Sequence, residues 1–275
     1  MENKEIALVY MVAGMSSRFG GKIKQFAKVG PNNTTLMEYS MKQSLAAGFT
    51  KIIFIVWKMT KEPFMEMFGD NYNWIPVYYA EQTFDPELRD KPRWTMDALC
   101  SAIEFIDCPF VVCNWDDLYG ANSFKLIVDN MKQSDDAVTI GYVLENVLSK
   151  EWTVNRWIFD IDENWYITNI TETLGIEESN LSKLNLTWKE LCSMNLFGLD
   201  NKTLIQLDEI LKNFKNTHIW DRKSECYLPT ELANLIKEWK LKMKIFPTPD
   251  TWLGVTNPQD EEIVRKQIEE IESGK

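Results

Sequence analysis

A glycine-rich stretch follows the first apolar segment of the chain and carries groups that bind phosphate. Residues 11–21 read MVAGMSSRFGG, directly after the apolar residues 6–10. Glycine lets a backbone turn sharply and approach a ligand, and successive N–H groups in such a turn bind anions. The guanidinium of Arg18 adds a planar donor that matches phosphate. Lysines follow, Lys24 among them. The stretch predicts a triphosphate site, while its composition alone also fits a glycine-rich turn with solvated lysines.

The spacing of this stretch differs from the two common phosphate-binding signatures. Counted from Gly14, Ser16 stands where the dinucleotide-binding pattern G-x-G-x-x-G has its middle glycine. No Gly-Lys-Ser/Thr follows at the distance that the Walker pattern requires. The sequence therefore predicts a phosphate-binding loop of another kind.

Two adjacent carboxylates follow another apolar segment. Residues 109–115 read PFVVCNW, and Asp116 and Asp117 come next. Ligands of open parallel sheets bind beyond the carboxyl ends of the strands. Mg²⁺ is usually held by one or two carboxylates together with substrate phosphates. We therefore expect this acidic pair to face the glycine-rich stretch across one crevice, with a surface Asp-Asp turn as the alternative.

A third carboxylate, Asp250, follows the apolar residues 243–247. At the end of a strand of the same sheet it would converge with Asp116 on one metal ion. Taken alone, it is also explained as an aspartate in a proline-rich turn.

The first half of the chain alternates between strand and helix patterns, which predicts a mainly parallel sheet with helices on both faces. Thr35 and Glu38 have the spacing of a capping box at the start of a helix. The predicted strands are 6–13, 51–56, 74–80, 109–115 and 136–143, and the predicted helices are 35–47, 61–68, 95–106 and 121–133.

The second half is less regular. It predicts paired strands (152–162 and 164–173), a polar loop or lid (175–189), a strand (191–199), helices (201–214 and 229–240), a strand (243–247) and a last helix that begins at Asn257–Pro258. We expect a single Rossmann-like α/β domain with a mixed, mainly parallel sheet and an inserted acceptor-binding lobe. Its parts are a nucleotide-binding half (1–145), an acceptor-binding half (146–258) and a C-terminal helix (259–275).

Composition excludes several classes of function. The net charge is −11 and no stretch is strongly basic, which argues against nucleic-acid binding. One histidine and five cysteines without a Cys-x-x-Cys pair predict reduced core cysteines in a reducing compartment. No segment has the ~20 apolar residues of a membrane span, and we expect no signal peptide, because the apolar run near the N-terminus is short. We expect a cytoplasmic protein without a membrane or nucleic-acid partner.

Four segments, in this order, resemble the sugar-1-phosphate nucleotidylyltransferases. The first begins VYMVAGMSSRFGGKIKQFAKVG at Val9 and is similar to that family's phosphate-binding loop and the lysine that follows it. The others are NWDDLYG (114–120), LCSMNLFGL (191–199) and PDTWLGVTNPQD (249–260). The resemblance spans almost the whole chain and implies the fold of nucleotide-diphospho-sugar transferases.

The resemblance also implies a reaction. The phosphate of a sugar 1-phosphate attacks the α-phosphorus of a nucleoside triphosphate, pyrophosphate leaves, and a nucleotide-sugar forms for polysaccharide biosynthesis. Mg²⁺ is the implied cofactor.

The family's functional residues carry over to matching positions of this chain. Those implied to bind the nucleotide are Ala13, Gly14, Ser16, Ser17, Gln82 and Asp117. Those implied to act on the phosphates are Arg18 and Lys24, the implied metal ligands are Asp116 and Asp250, and the residues assigned to the acceptor are Asn195 and Glu225.

Two features leave the substrate open. Residues 91–99, KPRWTMDAL, replace a small-residue turn that approaches the base in this family, which would alter the choice of base. Tryptophans in the acceptor half (152, 157, 165 and 188) either pack the core or form an aromatic box for a quaternary ammonium. The alternatives are a cytidylyltransferase that acts on phosphocholine or another small phosphorylated alcohol, and a catalytically weak regulatory protein that binds nucleotide-sugars. The oligomeric state is also open.

Overall fold

A long mixed sheet lies at the centre of the computed structural model, which describes residues 4–14, 24–148, 152–255 and 260–273. The strands are β1 (Ala7–Met11), β2 (Lys51–Val56), β3 (Asn71–Tyr72), β4 (Ile75–Glu81), β5 (Phe110–Asn114), β6 (Asp117–Leu118), β7 (Ala137–Val143), β8 (Val154–Ile161), β9 (Ile167–Ile176), β10 (Leu191–Ser193), β11 (Phe197–Leu199), β12 (Met243–Pro247) and β13 (Leu253–Gly254). The α-helices are α1 (Leu36–Leu45), α2 (Lys58–Phe68), α3 (Trp94–Ser101), α4 (Ala121–Gln133), α5 (Asn201–Thr217), α6 (Leu228–Lys237) and α7 (Asp260–Glu272). The 3₁₀ helices are Lys24–Phe26, Pro31–Asn33, Ile103–Phe105, Leu144–Val147 and Glu178–Leu184.

The strand order of the main sheet is β3-β4-β2-β1-β5-β11-β7-β10-β8-β9, and β12 pairs with β7 outside this path. Strands β4, β2, β1 and β5 are mutually parallel, as are β12 and β7. Their carboxyl ends therefore meet at one edge. The predicted α/β fold class, with a mixed and mainly parallel sheet flanked by helices, is confirmed.

The central strands are apolar on both faces because helices cover both sides of the sheet. Leu8 and Tyr10 of β1 belong to one buried apolar cluster, which includes side chains of α1, α2 and α4. Val9 and Met11 belong to the other, which includes side chains of α3, α5 and α6. This alternation follows from the two-residue period of a strand.

Local signals in the sequence explain several element boundaries. The predicted capping box at the start of α1 is present, with Thr35 and Glu38 each accepting a hydrogen bond from the other's backbone N–H. Helix α4 has the predicted bounds, 121–133. The last helix, α7, begins at Asp260, and the predicted cap at 257–258 lies outside the described residues.

The prediction of one strand over 191–199 is wrong. Strand β10 pairs with β7 and β8, whereas β11 pairs with β5 and β7. Asn195 lies between them with φ +60, a left-handed conformation that interrupts an extended strand. The predicted helix 95–106 is also shorter, because α3 ends at Ser101 and a separate 3₁₀ turn follows.

The five cysteines are buried and unpaired, in agreement with the prediction of core cysteines. Within the described ranges, no helix combines the length and apolar character needed to cross a membrane.

Candidate active site

The exit of β1 and the acidic pair lie side by side at the carboxyl edge of the sheet. Parallel pairing of β1 with β5 aligns Met11 with Asn114. A Cβ atom placed on Gly14 would lie 3.4 Å from Nε1 of Trp115, so the start of the glycine-rich stretch contacts the segment that carries the carboxylates. The structure thus brings together the two features that the sequence assigned to one crevice.

Much of the predicted phosphate-binding loop falls outside the described residues. Ser16, Ser17 and Arg18 lie there, whereas Ala13 is buried and Gly14 exposed at the end of β1. The 3₁₀ helix Lys24–Phe26 begins at Lys24, whose side chain also lies outside what the structure describes.

Gln25, which sequence analysis did not single out, ties this 3₁₀ helix to β1. Its fully buried side-chain amide donates a 2.9 Å hydrogen bond to the backbone carbonyl of Val12. The segment that begins at Lys24 therefore lies against the end of β1. No spacing pattern in the sequence predicts the contact between Gln25 and Val12.

Asp117 is buried in a set of polar partners. Its Oδ2 accepts a 2.9 Å hydrogen bond from the side-chain amide of Asn114 and lies 3.3 Å from the hydroxyl of Tyr119. Burial raises the pKa of Asp117 to about 7, and the negative charge of neighbouring Asp116 contributes in the same direction. A buried carboxylate beside a second carboxylate is an arrangement that a cation stabilises.

The short sheet of β6 and β13 joins the acidic pair to the C-terminal segment. Gly254 is the register partner of Asp117, and the backbone carbonyl of the half-buried Asp116 accepts a 3.1 Å hydrogen bond from Val255. Two of the segments that resembled one family are therefore adjacent in space.

The carboxylate of Asp250 binds the start of α4. Its Oδ1 accepts a 2.8 Å hydrogen bond from the amide of Asn122, and its Oδ2 accepts one of 2.8 Å from the backbone N–H of Ser123. The structure thus gives Asp250 the role of a helix cap contributed from a distant segment. A carboxylate retains further lone pairs in this arrangement, and its assignment as a metal ligand stays a prediction.

Gln82 lies at the carboxyl end of β4, on the same edge. It is buried, and its Nε2 donates a 3.4 Å hydrogen bond to Oδ2 of Asp97. Asp97 in turn accepts a hydrogen bond from the backbone of Arg93 and forms an ion pair of 2.5 Å with Lys215 of α5. Asp97, itself paired with Lys215, therefore fixes the position of the Gln82 side chain. The sequence did not predict this role for Asp97 or for Lys215.

The two residues assigned to the acceptor have different surroundings. Oδ1 of Asn195 is buried and has no hydrogen-bond partner among the described residues. Glu225 accepts hydrogen bonds from Lys91 and from the hydroxyl of Tyr227. Partial burial opposes ionisation of Glu225, but these two hydrogen bonds outweigh it and lower its pKa.

Arg156 and Trp252 were missed by sequence analysis. The guanidinium carbon of Arg156 lies 5.3 Å from the ring centroid of Trp252, whose indole covers Gly254 beside Asp117. Burial lowers the pKa of Arg156, and the charge of Asp117 partly offsets this effect. Within the described ranges, Nε of Arg156 and Nε1 of Trp252 are buried without a hydrogen-bond partner. Buried donors of this kind are costly unless a ligand or water satisfies them.

The four tryptophans that the sequence assigned to core packing or to an aromatic box lie in different places. Trp188 contacts the core, and Trp152 and Trp165 are each about half exposed. Trp157 lies 6.0 Å from Tyr227 between ring centroids. Trp94 also contacts Tyr227, at 6.1 Å, so these three residues form an aromatic cluster beside Glu225.

The described residues contain no group of three or more histidine, cysteine, aspartate or glutamate side chains arranged to hold a metal ion. Asp116 and Asp117 supply two adjacent carboxylates at the carboxyl edge of the sheet. Mg²⁺ bound to a nucleotide needs only one or two protein carboxylates, so the acidic pair fits this ion.

Comparison with known proteins gives one family match. The model of the nucleotidyl transferase family matches residues 21–150. No curated protein matches the sequence.

The whole chain shares its fold with solved nucleotidyltransferases. A protein described as a glucose-1-phosphate thymidylyltransferase, from Bacillus anthracis, is 14% identical with a TM-score of 0.66, over 96% of this chain and 95% of that chain. The CTP:phosphocholine cytidylyltransferase of Streptococcus pneumoniae is 16% identical with a TM-score of 0.64, over 97% and 99%. The inositol-1-phosphate CTP transferase of T. maritima is 13% identical with a TM-score of 0.65, over 97% of both chains. At these identities the likeness establishes the fold.

Proposed function

We propose that the chain is a nucleotidyltransferase, in agreement with the match of residues 21–150 to the nucleotidyl transferase family model, and that it transfers a nucleoside monophosphate from a nucleoside triphosphate to a sugar 1-phosphate. Pyrophosphate leaves and a nucleotide-sugar forms. The observation that supports this proposal is the contact between the exit of β1, at Gly14, and the segment of the acidic pair, at Trp115. A phosphate-binding loop and a metal-binding carboxylate belong together in this reaction.

The reaction brings two anions together. A phosphate oxygen of the acceptor forms a bond to the α-phosphorus, and the bond from that phosphorus to the bridging oxygen of pyrophosphate breaks. Two unit charges 4 Å apart repel by about 4 kcal/mol at an effective dielectric of 20. Arg18 and Lys24 would offset this repulsion, Arg18 beside the leaving pyrophosphate and Lys24 between the two reacting phosphates. The acceptor phosphate is already ionised, so no general base is needed.

Asp116 would hold Mg²⁺, and Asp250 would be the second ligand. When bound, the ion neutralises charge on the phosphates and polarises them. Asp117 would contribute to nucleotide binding. Its buried carboxylate is held in place by the hydrogen bond from Asn114. Gln82 would face the base from the end of β4, in an orientation set by its hydrogen bond to Asp97.

Three buried polar atoms would serve the acceptor. Oδ1 of Asn195, Nε of Arg156 and Nε1 of Trp252 have no partners in the part of the chain that the structure describes. A sugar phosphate supplies hydroxyl donors for the first and phosphate or hydroxyl acceptors for the other two. Glu225, fixed by Lys91, would contact a further hydroxyl group.

A specific observation favours a second acceptor, phosphocholine. Trp94, Trp157 and Tyr227 form the aromatic cluster described above, with the carboxylate of Glu225 beside it. Quaternary ammonium groups bind between aromatic faces through cation–π attraction.

The test is pyrophosphate release in the presence of Mg²⁺, with each common nucleoside triphosphate against a panel of sugar 1-phosphates and phosphocholine. We expect release with one triphosphate and a sugar 1-phosphate. Release with phosphocholine alone would favour the second acceptor. Release with no pair, together with a melting-temperature increase on adding a nucleotide-sugar, would instead indicate a regulatory binding protein.

A further inference from the structure

Four tryptophans have a backbone conformation that tryptophan rarely adopts. In the described part of the chain, nine residues other than glycine have positive φ, of which five are asparagines and four are tryptophans. Asparagine tolerates this left-handed region, whereas a bulky residue there is an outlier. The four are Trp74, Trp94, Trp165 and Trp239, with φ of +69, +68, +65 and +59.

Trp239 ends helix α6 at the position where glycine is usual. The backbone N–H of Lys240 donates to the carbonyl of Leu235, and that of Trp239 donates to the carbonyl of Ile236. With Glu238 as the C-cap, this is the hydrogen-bond pair of a Schellman motif. Its left-handed residue is most often glycine, which has no Cβ to clash with the backbone.

Trp74 is the second residue of a two-residue hairpin. Strands β3 and β4 pair Tyr72 with Ile75, so only Asn73 and Trp74 connect them. Both connecting residues have positive φ, which is the requirement of a type I′ turn. Asn-Gly is the favoured sequence for this turn, and here the asparagine is present with tryptophan in place of glycine.

Trp165 ends the turn between β8 and β9. Its backbone N–H donates to the carbonyl of Asp162, which closes a four-residue turn, and the N–H of Asp162 donates to the carbonyl of Tyr166. A hairpin of this kind places a left-handed residue, commonly glycine, at the last position of the turn, which Trp165 occupies here.

The side chains of these tryptophans do little to offset the strain. Trp74 and Trp239 are each 95% exposed, and Trp94 and Trp165 are about half exposed. The chain also holds 12 glycines and 11 tryptophans in 275 residues, whereas the usual ~7% glycine would give about 19. Glycine is therefore scarce overall and missing at positions whose geometry favours it.

We propose that positions 74, 94, 165 and 239 are glycine positions, and that the protein made in its own cell carries glycine there. The codon UGA is read as tryptophan in some genetic codes and as glycine in others, so one reassigned codon accounts for all four positions. The backbone at these four positions favours glycine whatever reaction the protein catalyses.

Position 94 connects this inference to the active site. Trp94 begins α3, three residues before Asp97, which holds Gln82. Glycine at this position removes one wall of the aromatic cluster and leaves Trp157 with Tyr227. It also frees space next to the backbone at the edge where the base would bind.

The direct test is tandem mass spectrometry of peptides that cover the four positions, from protein purified out of cells that carry the gene. We expect the masses and fragment series of glycine at all four. Tryptophan at these positions would overturn the proposal.

A stability test uses recombinant protein of the present sequence. The Tm of Trp74→Gly should exceed that of Trp74→Ala by about 2–4 °C, and we expect the same difference between Trp239→Gly and Trp239→Ala. Both substitutions remove the indole, but alanine keeps the strained Cβ. Trp220, which is 84% exposed and lacks a positive φ, is the matched control, and there glycine should give a lower Tm than alanine. Equal or lower Tm for glycine at both 74 and 239 would contradict the inference.

Discussion

Oδ2 of Asp250 accepts a 2.8 Å hydrogen bond from the backbone N–H of Ser123, in the first turn of α4. This contact joins the segment after β12 to the helix that follows the acidic pair. The carboxylate of Asp250 thus stabilises the start of a helix beside the proposed metal site. Its structural role and its proposed role as a metal ligand can be separated by experiment.

Asp116→Asn and Asp250→Ala should therefore have different effects. Asp250→Ala removes the cap of α4 and should lower the free energy of unfolding by about 0.5–2 kcal/mol. Asp116→Asn should abolish activation by Mg²⁺ while leaving the unfolding curve close to that of the unchanged protein. Chemical denaturation and a Mg²⁺ titration of activity measure the two effects. Full activation of the Asp116 variant by Mg²⁺ would remove that residue as a ligand.

Gly120→Ala should destabilise the protein more than Gly175→Ala. Both glycines have positive φ, +86 and +63, so an added Cβ costs about 1–2 kcal/mol at either position. At Gly175 no atom lies within 4 Å of the new Cβ, whereas at Gly120 it would overlap the carboxylate of Asp250. The difference between the two free energies of unfolding measures this overlap. Equal losses would show that the Asp250 carboxylate moves away without cost.

Lys24→Ala should reduce turnover by about 10²–10³-fold with little change in Tm, because it removes a cation that we assign to the reacting phosphates. Lys28→Ala, four residues further along the chain and exposed, is the control and should retain normal turnover. Steady-state rates of pyrophosphate release provide the measurement. If both variants behave alike, Lys24 has no special role.

Trp252→Phe should raise the KM for the acceptor without lowering stability. The substitution keeps a ring beside Arg156 but removes the indole N–H, which is buried without a hydrogen-bond partner in the described part of the chain. Removing an unsatisfied buried donor is neutral or stabilising in the free protein, whereas losing a hydrogen bond to a ligand costs about 0.5–1.5 kcal/mol of binding. An unchanged KM with a raised Tm would mean that the acceptor does not reach this N–H.

Sequence patterns predicted the elements whose signals are local. Helix α4 and the capping box of α1 depend on neighbouring residues, and both were predicted correctly. The acidic pair was placed beside the exit of β1 because parallel strands end at one edge. The break at Asn195 was missed, since a left-handed residue leaves no mark on apolar periodicity. The contacts of Lys215 with Asp97 and of Arg156 with Trp252 join distant segments, and only the folded chain reveals them.

Trp157→Leu distinguishes the two proposed acceptors. A quaternary ammonium gains about 0.5–2 kcal/mol from an aromatic face, so this variant should raise the KM for phosphocholine by roughly 2- to 30-fold if the aromatic cluster binds that group. A sugar 1-phosphate lacks a cation, and its KM should change less.

Tyr227→Phe is the control, because it keeps the ring 6.0 Å from Trp157 but removes the hydroxyl that donates to Glu225. Loss of phosphocholine activity in Trp157→Leu but not in Tyr227→Phe would assign the cluster to an ammonium group. A larger loss of sugar 1-phosphate activity in Tyr227→Phe would instead assign this region to sugar hydroxyls through Glu225.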